Sequence, residues 1–197
     1  MRSEPLQNLC CLLLGLLMIH PLWAESPAWS LEQLMRLFAG VEHRQSHFTE
    51  TRELALLESA LESSGTLTFQ APNRLIKSFD SPAGLSYEIV DNRLTLRKAH
   101  GQQEVVLLDN SPQLLAYIAS LRAVLAGNLA QLDRYFNTHL SGTRDAWLLT
   151  LTPRDSQLAR QLMRIEMSGS EANIRQFIMI EQGGDRILTT LHEQREK

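Results

Sequence analysis

The chain has 197 residues, of which 44% are hydrophobic and 21% are charged. This composition is typical of a globular domain with one core and excludes an intrinsically disordered chain. The formal net charge is −3 and the pI is about 6.1, so nothing indicates nucleic-acid binding.

The N-terminus predicts a signal peptide spanning residues 1–24. Arg2 supplies a weakly positive start, residues 9–19 are apolar apart from one glycine, and Ala24 is a small residue at which a signal peptidase can cut. The apolar run is shorter than the roughly 20 residues that a spanning helix needs. An uncleaved anchor remains the alternative. The predicted signal peptide leads us to expect export to the periplasm, with cleavage near Ala24.

Both cysteines, Cys10 and Cys11, lie in this leader. Cleavage would leave residues 25–197 as a single domain without cysteine. We therefore expect no disulfide and no thiol chemistry in the oxidising compartment.

The exported part begins with a helical pattern and continues with short alternating runs. Apolar residues recur at helical spacing over residues 29–38, and Gly40 can end that helix. Strands are predicted over residues 48–54, 66–69, 75–79, 85–89, 94–96 and 105–108. Turns are predicted at residues 63–65, 71–73, 80–82, 91–92 and 100–101. This pattern indicates an antiparallel meander.

The period changes after Ser111-Pro112. Apolar residues then predict two helical segments, 114–125 and 129–136, which are broken near Gly127-Asn128. Strands resume over residues 147–151, 163–167, 174–180 and 187–191, with turns at 168–169 and 183–185. The sequence thus predicts an α+β protein in which a second meander follows a helical insertion.

A long meander with one apolar face must curve so that this face is covered by other parts of the protein or by a ligand. The apolar segment 114–125 is the candidate to cover the concave side. The pattern alone leaves two interpretations open, a fully packed core and an interior with room for a ligand.

Several motifs, in this order and spacing, resemble the LolA-like family of periplasmic lipoprotein carriers over most of the chain. They are Phe48-Thr-Glu, Gly65-Thr-Leu-Thr-Phe, Ala71-Pro-Asn-Arg-Leu, Ser81-Pro, Asp91-Asn-Arg-Leu, Trp147-Leu-Leu-Thr-Leu-Thr-Pro, Ile174-Arg-Gln-Phe and Glu181-Gln-Gly-Gly-Asp. The resemblance implies an incomplete antiparallel β-barrel, a curved half-barrel with a helical lid as in LolA and LolB.

The resemblance also implies a monomeric carrier without a cofactor. It would take an acyl lipid or lipoprotein as cargo from an inner-membrane donor to an outer-membrane acceptor. The expected cavity residues are Leu67, Phe69, Leu75, Phe79, Tyr87, Ile89, Leu94, Leu96, Leu107, Trp147, Leu149, Leu151, Ile165 and Ile178. The expected lid residues are Leu114, Ile118, Leu121 and Leu125.

The chain departs from the carrier pattern at two places. Lipoprotein carriers have an arginine before the proline of the first break, where this chain has Ala71, and aromatic residues in the next strand, where it has Ile76-Lys77-Ser78. These differences favour an acyl-lipid or glycolipid cargo over lipoproteins. A non-transporting envelope sensor or interaction module with the same fold is the alternative.

Residue patterns for catalysis and metal binding are weak. The sequence has no Gly-x-Ser-x-Gly motif, and Gly183-Gly184-Asp185 lacks the strand-then-helix setting of a phosphate loop. His43 and His47 would share a strand face, but no further ligands complete a metal site. We predict that the protein is not an enzyme and binds no metal.

Basic residues recur in the first meander and admit two interpretations, a basic rim that docks an acidic membrane partner or scattered charges that face solvent. They are Arg52, Arg74, Lys77, Arg93, Arg97 and Lys98.

Overall fold

The computed structural model describes residues 29–80 and 84–193. The predicted leader (residues 1–24), the predicted break at Ser81-Pro82 and residues 194–197 lie outside the described ranges. Within these ranges, no helix is both long enough and apolar enough to cross a membrane.

Helices and strands follow one another in two meanders separated by helices. The α-helices are α1 (Leu31–Ala39), α2 (Pro112–Leu125), α3 (Leu129–Tyr135) and α4 (Ser156–Ala159). The first meander comprises β1 (His43–Glu53), β2 (Leu61–Gln70), β3 (Arg74–Phe79), β4 (Ser86–Val90), β5 (Arg93–Arg97) and β6 (Gln103–Leu107). The second comprises β7 (Phe136–Thr143), β8 (Ala146–Pro153), β9 (Leu162–Ser170), β10 (Asn173–Glu181) and β11 (Arg186–Glu193).

The first and last strands join the two meanders into one antiparallel sheet. Its order is β6-β5-β4-β3-β2-β1-β11-β10-β9-β8-β7. In the β1–β11 pair, Phe48 lies opposite Leu191 and Glu50 lies opposite Thr189. The outer strands β6 and β7 do not pair with each other, so the sheet remains an unclosed, curved half-barrel. This confirms the expected fold class.

Helix α1 packs onto the sheet through one apolar face. Ser30 caps its start in a capping box with Gln33. Phe38, which is fully buried, meets the ring of Trp147 edge-on at 6.0 Å between centroids. The α2–α3 turn rests against this helix at Gly127, whose φ is +62° and where a Cβ atom would lie 2.2 Å from the Met35 carbonyl oxygen. Only glycine fits both constraints.

Helix α2 has little polar surface along its length. Ala116, Ile118, Leu121 and Val124, which together point in several directions around the helix, are all buried. A helix that is apolar all round must be covered on most sides. Here α1 and α3 cover one side, and the concave face of the sheet lies on the other.

Two turns predicted from glycine-containing segments are wrong. Residues 63–65 belong to β2 and residues 168–169 to β9, while the real turns lie at residues 54–60 and 171–172. In both strands the glycine permits a close approach. A Cβ atom on Gly65 would lie 1.9 Å from the Ser78 carbonyl oxygen, and one on Gly169 would lie 2.0 Å from the Asn173 carbonyl oxygen.

Local sequence patterns do not predict strand β7 or helix α4. Strand β7 was expected to be partly helical, because Phe136 continues the apolar spacing of the preceding segment. Residues 137–143 carry few apolar side chains, and only pairing with β8 makes them a strand. Helix α4 has just four residues, capped by Asp155.

We predict that Gly65→Ala destabilises the sheet, because the added methyl group must displace the Ser78 carbonyl or the Phe48 ring. The expected loss is about 1–3 kcal/mol of unfolding free energy, the usual range for overpacking. Urea denaturation measures it. Gly183→Ala is the control, since no atom lies within 4 Å of its added Cβ. Equal stabilities for the two variants would contradict the close approach.

Candidate functional site: an apolar cavity under helix α2

A cavity of about 440 Å³ lies between the concave face of the sheet and α2. This volume is within the roughly 300–1,000 Å³ of small-molecule sites. Most of its lining is apolar. The apolar and aromatic lining residues are Phe48, Leu67, Leu75, Tyr87, Ile89, Leu94, Leu96, Val106, Leu114, Tyr117, Ile118, Leu121, Phe177, Met179, Ile187 and Leu191. The polar lining residues are Glu50, Arg52, Lys77, Glu104, Ser111, Glu181 and Thr189.

Strand alternation aligns these side chains in rows across the sheet. Leu75, Ile89, Leu94 and Val106 are successive partners in the ladder from β3 to β6. They face the same side because directly paired residues share a face. The row forms a continuous apolar wall opposite α2.

Many of the residues predicted for the cavity lie on its wall. Those from the first meander are Leu67, Leu75, Tyr87, Ile89, Leu94 and Leu96. Three predicted lid residues, Leu114, Ile118 and Leu121, also face the cavity. Leu125 is buried but does not line it.

The other predicted residues lie elsewhere. Packed side chains away from the cavity wall are Phe69, Phe79, Trp147, Leu149, Leu151 and Ile165. Trp147 packs against Phe38 of α1, and Phe79 packs edge-on against Phe48. Leu107 is 49% exposed on the convex face, and Ile178 is half-buried outside the cavity. Their neighbours Val106, Phe177 and Met179 line it instead.

Several wall residues on β1, β10 and β11 were not predicted from the sequence. Phe48, Phe177, Met179, Ile187 and Leu191 line the cavity. Alternation within β10 was a usable signal, since Phe177 and Met179 share a face from which Ile178 is excluded. Which face of β10 points towards the cavity depends on its pairing with β9 and β11, and the sequence alone does not give that pairing.

Three charged residues interrupt the apolar wall. They are Glu50, Arg52 and Lys77, and we call them the charge cluster. The Glu50 side chain is only 1% exposed. The Lys77 ammonium lies 2.5 Å from Glu50 Oε2, and Arg52 Nε lies 2.9 Å from Oε1. The Thr189 hydroxyl donates to Oε2 at 2.9 Å. The carboxylate is therefore fully partnered.

Burial and ion pairing shift the pKa values of Glu50 and Lys77 in opposite directions. Burial raises the pKa of the Glu50 carboxyl, but the charges of Lys77 and Arg52 and their hydrogen bonds outweigh it and hold that pKa below its ordinary value. Burial also lowers the pKa of Lys77, and the adjacent carboxylate offsets only part of this. The Lys77 ammonium lies 4.5 Å from the Phe48 ring centroid and 5.2 Å from that of Phe79. Both rings are within cation–π distance.

Two side chains, Tyr117 and Arg122, hold α2 over the cavity. The Tyr117 ring meets Phe177 edge-on at 4.8 Å, and its phenol interacts with the Thr189 hydroxyl. Burial, together with the negative charge of Glu50, raises the pKa of this phenol. Towards the other end of the helix, Arg122 Nη1 donates to the Asp91 carbonyl oxygen at 2.6 Å in the β4–β5 turn. The helix therefore bridges the two halves of the cavity wall.

The basic residues of the first meander do not form a free basic rim. Arg74 and Arg97 both pair with Glu88, which lies on the face of β4 opposite to the cavity residues Tyr87 and Ile89. Arg52 and Lys77 share Glu50, and Lys98 lies 3.4 Å from Glu104. Lys77 points into the cavity rather than into solvent.

The sequence matches the family model described as "Outer membrane lipoprotein carrier protein LolA-like" over residues 24–193. This chain belongs to the LolA-like family. The match spans the described sheet and all four helices. No curated protein sequence matches the chain. The family assignment therefore comes from the family model.

Solved structures with similar folds are distant in sequence from this LolA-like chain. A LolA superfamily protein from Nitrosomonas europaea is 11% identical, with a TM-score of 0.47, and the match covers 86% of this chain and 96% of that one. A putative outer membrane lipoprotein-sorting domain from Vibrio parahaemolyticus is 11% identical, with a TM-score of 0.47 and coverages of 84% and 90%. A chain of the Pseudomonas aeruginosa MucA/MucB complex is 15% identical, with a TM-score of 0.44 and coverages of 83% and 56%.

We predict that Glu50→Ala costs about 3 kcal/mol or more of unfolding free energy, because it leaves the Lys77 ammonium buried without its carboxylate. The double variant Glu50→Gln/Lys77→Met removes both charges and should lose less than the single variant. Denaturant unfolding of both compares them directly. Glu58→Ala, at an exposed position, is the control. A larger loss in the double variant would contradict the ion pair.

We also predict a pH-dependent contribution from Glu88. Burial raises its pKa, but the hydrogen bond from Arg74 and the charge of Arg97 bring it below the ordinary value of 4.5. The folded state therefore favours the ionised carboxylate. Its contribution is present above pH 4.5 and disappears as the pH falls through the folded-state pKa.

The measurement is unfolding free energy against pH for the wild type and Glu88→Gln. The wild type should be more stable at pH 7 by about 1 kcal/mol, since the arginine partners are partly exposed. The difference should shrink as the pH falls below 4.5 towards 3. A constant difference across this range would show that the carboxylate charge is not responsible.

Proposed function

We propose that this LolA-like protein is a periplasmic carrier. It binds the acyl chain of a lipid or lipoprotein in the cavity and passes it from an inner-membrane donor to an outer-membrane acceptor. The observation that carries the proposal is the cavity of about 440 Å³, whose strand and helix lining is mostly apolar. A non-transporting module with this fold would have no need of an unfilled interior.

Burial of the acyl chain supplies the binding energy in this proposal. Moving a methylene group from water into an apolar environment is favourable by about 0.8 kcal/mol. The wall from Leu75 through Ile89 to Leu94 provides such an environment without any directional contact. Binding of this kind tolerates different chain lengths and requires no chemical step.

Helix α2 is the lid in this proposal, since it lies between the cavity and the α1–α3 side of the molecule. Cargo exchange requires the contacts of Tyr117 with Phe177 and Thr189, and that of Arg122 with Asp91, to open. Opening also separates Ile118 and Leu121 from the cavity wall, and the energy of cargo burial can offset these losses.

The proposal is tested by lipid binding to lid variants. Leu121→Glu and Leu114→Glu place a carboxylate on the cavity wall, where an acyl chain cannot solvate it. We expect native mass spectrometry of wild-type protein purified from the periplasm to show a bound acyl lipid. Both variants should bind the lipid at least about tenfold more weakly, corresponding to about 1.4 kcal/mol.

Leu107→Glu is the matched control, because Leu107 is 49% exposed and lies outside the cavity. Circular dichroism verifies that each variant retains the sheet. Leu114 is only half-buried, so its variant keeps the test valid if Leu121→Glu fails to fold. Absence of any lipid from the wild type, together with no binding of added lipid, would refute the carrier function.

A further inference from the structure

The charge cluster is unexpected in a site that only has to hold hydrocarbon. Glu50, with 2% of its surface exposed, and Lys77 lie on the cavity wall, where burial of charges is unfavourable unless they are paired. Apolar side chains at both positions would avoid this cost and make the wall more apolar. A polar feature of the ligand would account for the cluster.

Lys77 has donor capacity that the protein does not use. An ammonium group has three N–H donors. Among the described residues, Lys77 donates only to Glu50 Oε2. Its other close neighbours are the rings of Phe48 and Phe79, which accept no conventional hydrogen bond. Two donors are thus available to an oxygen atom of a ligand.

The cluster also carries more positive than negative charge. Lys77 and Arg52 share the single carboxylate of Glu50, so the three side chains together have a net charge of +1. Of the other acidic wall residues, Glu104 pairs with Lys98, which leaves Glu181 near the β10–β11 turn. Burial and the nearby Asp185 raise the pKa of Glu181 and thus weaken its tendency to ionise.

The position of the cluster defines an orientation for a ligand. Arg52 lies on the part of β1 that leads to the 54–60 turn, and its side chain is 44% exposed. The apolar row of Leu75, Ile89 and Leu94 crosses β3, β4 and β5 near the β4–β5 turn, and Ile118 and Leu121 line the same cavity. A head group at Lys77 and Arg52 would leave its tail along this row.

We propose that the cargo is an amphiphile with an anionic oxygen head group, a carboxylate or a phosphate, which binds to Lys77 and Arg52 inside the cavity. This inference rests on the proposed carrier function and specifies the ligand class of the same site. The anion supplies acceptors for the unused donors of Lys77 and balances the excess positive charge. The tail lies on the apolar row, and Glu50 orients the Lys77 ammonium.

The test compares C12 amphiphiles that differ only in the head group. Dodecanoate, dodecanol, dodecyl phosphate and dodecyltrimethylammonium are titrated into the purified protein by calorimetry at low ionic strength. We expect the better of the two anions to bind about tenfold or more tightly than dodecanol, as charge-assisted hydrogen bonds predict. Whichever anion binds more tightly identifies the head group.

Substitutions in the charge cluster test whether Lys77 causes the preference for anions over dodecanol. In Lys77→Met the anion-to-alcohol affinity ratio should fall to about one. Lys77→Gln, whose amide can still donate to Glu50, should show the same loss, and it keeps the test valid if Lys77→Met does not fold. Arg93→Met removes a charge of the same sign at an exposed position, so the ratio should remain that of the wild type.

The outcomes separate this inference from the carrier function. Equal binding of anions and dodecanol, tighter binding of dodecyltrimethylammonium, or a ratio that persists in folded Lys77 variants overturns the anionic subsite and leaves the carrier in place. Failure of every amphiphile to bind the wild type overturns the carrier function itself.

Discussion

The pairing of β1 with β11 determines the shape of the molecule. It joins two meanders that are separate along the chain into a single sheet, and it places β1 and β11 in the middle of the strand order. The edges β6 and β7 then lie at the two ends of the strand order, and the chain between them must return across the sheet. That return is α2 and α3, so the topology itself puts a helix over the concave face.

The cavity exists because the two halves of this arrangement are filled differently. In the second meander, Trp147 packs against Phe38 of α1, and Leu149, Leu151 and Ile165 of β8 and β9 are fully buried. In the first meander the strands β4 to β6 are short, and their inward residues face α2 across a gap. Close packing in one half stabilises the fold, while the other half retains space for a ligand.

The charge cluster shows a conflict between stability and binding. A buried ion pair contributes less stability than well-packed apolar side chains of similar size in many proteins. Here Glu50 is held by Lys77, Arg52 and Thr189 at the seam between β1 and β11. Such an arrangement is understandable where a ligand uses the remaining donors, and it links the ligand site to the pairing on which the fold depends.

Local sequence patterns predicted much of the fold. The helical spacing of residues 29–38 and 114–125 and the alternation of residues 85–89 and 94–96 correspond to α1, α2, β4 and β5. The predictions failed where the local signal pointed elsewhere. Gly65 and Gly169 resemble turn residues, but they lie inside strands because neighbouring chains approach them closely. The polar strand β7 is stabilised by its pairing with β8.

By itself, the sequence determined the α+β class, the inward face of β2 to β5 and the apolar helix that covers it. These features follow from side-chain periodicity, which is local. Only the tertiary structure decided that Trp147 and Leu149 belong to a packed core whereas Leu75 and Ile89 border a cavity. It alone also brought Lys77 to Glu50, 27 positions away along the chain. Alternation states which side chains share a face, but the distance to the opposite layer depends on how the whole chain packs.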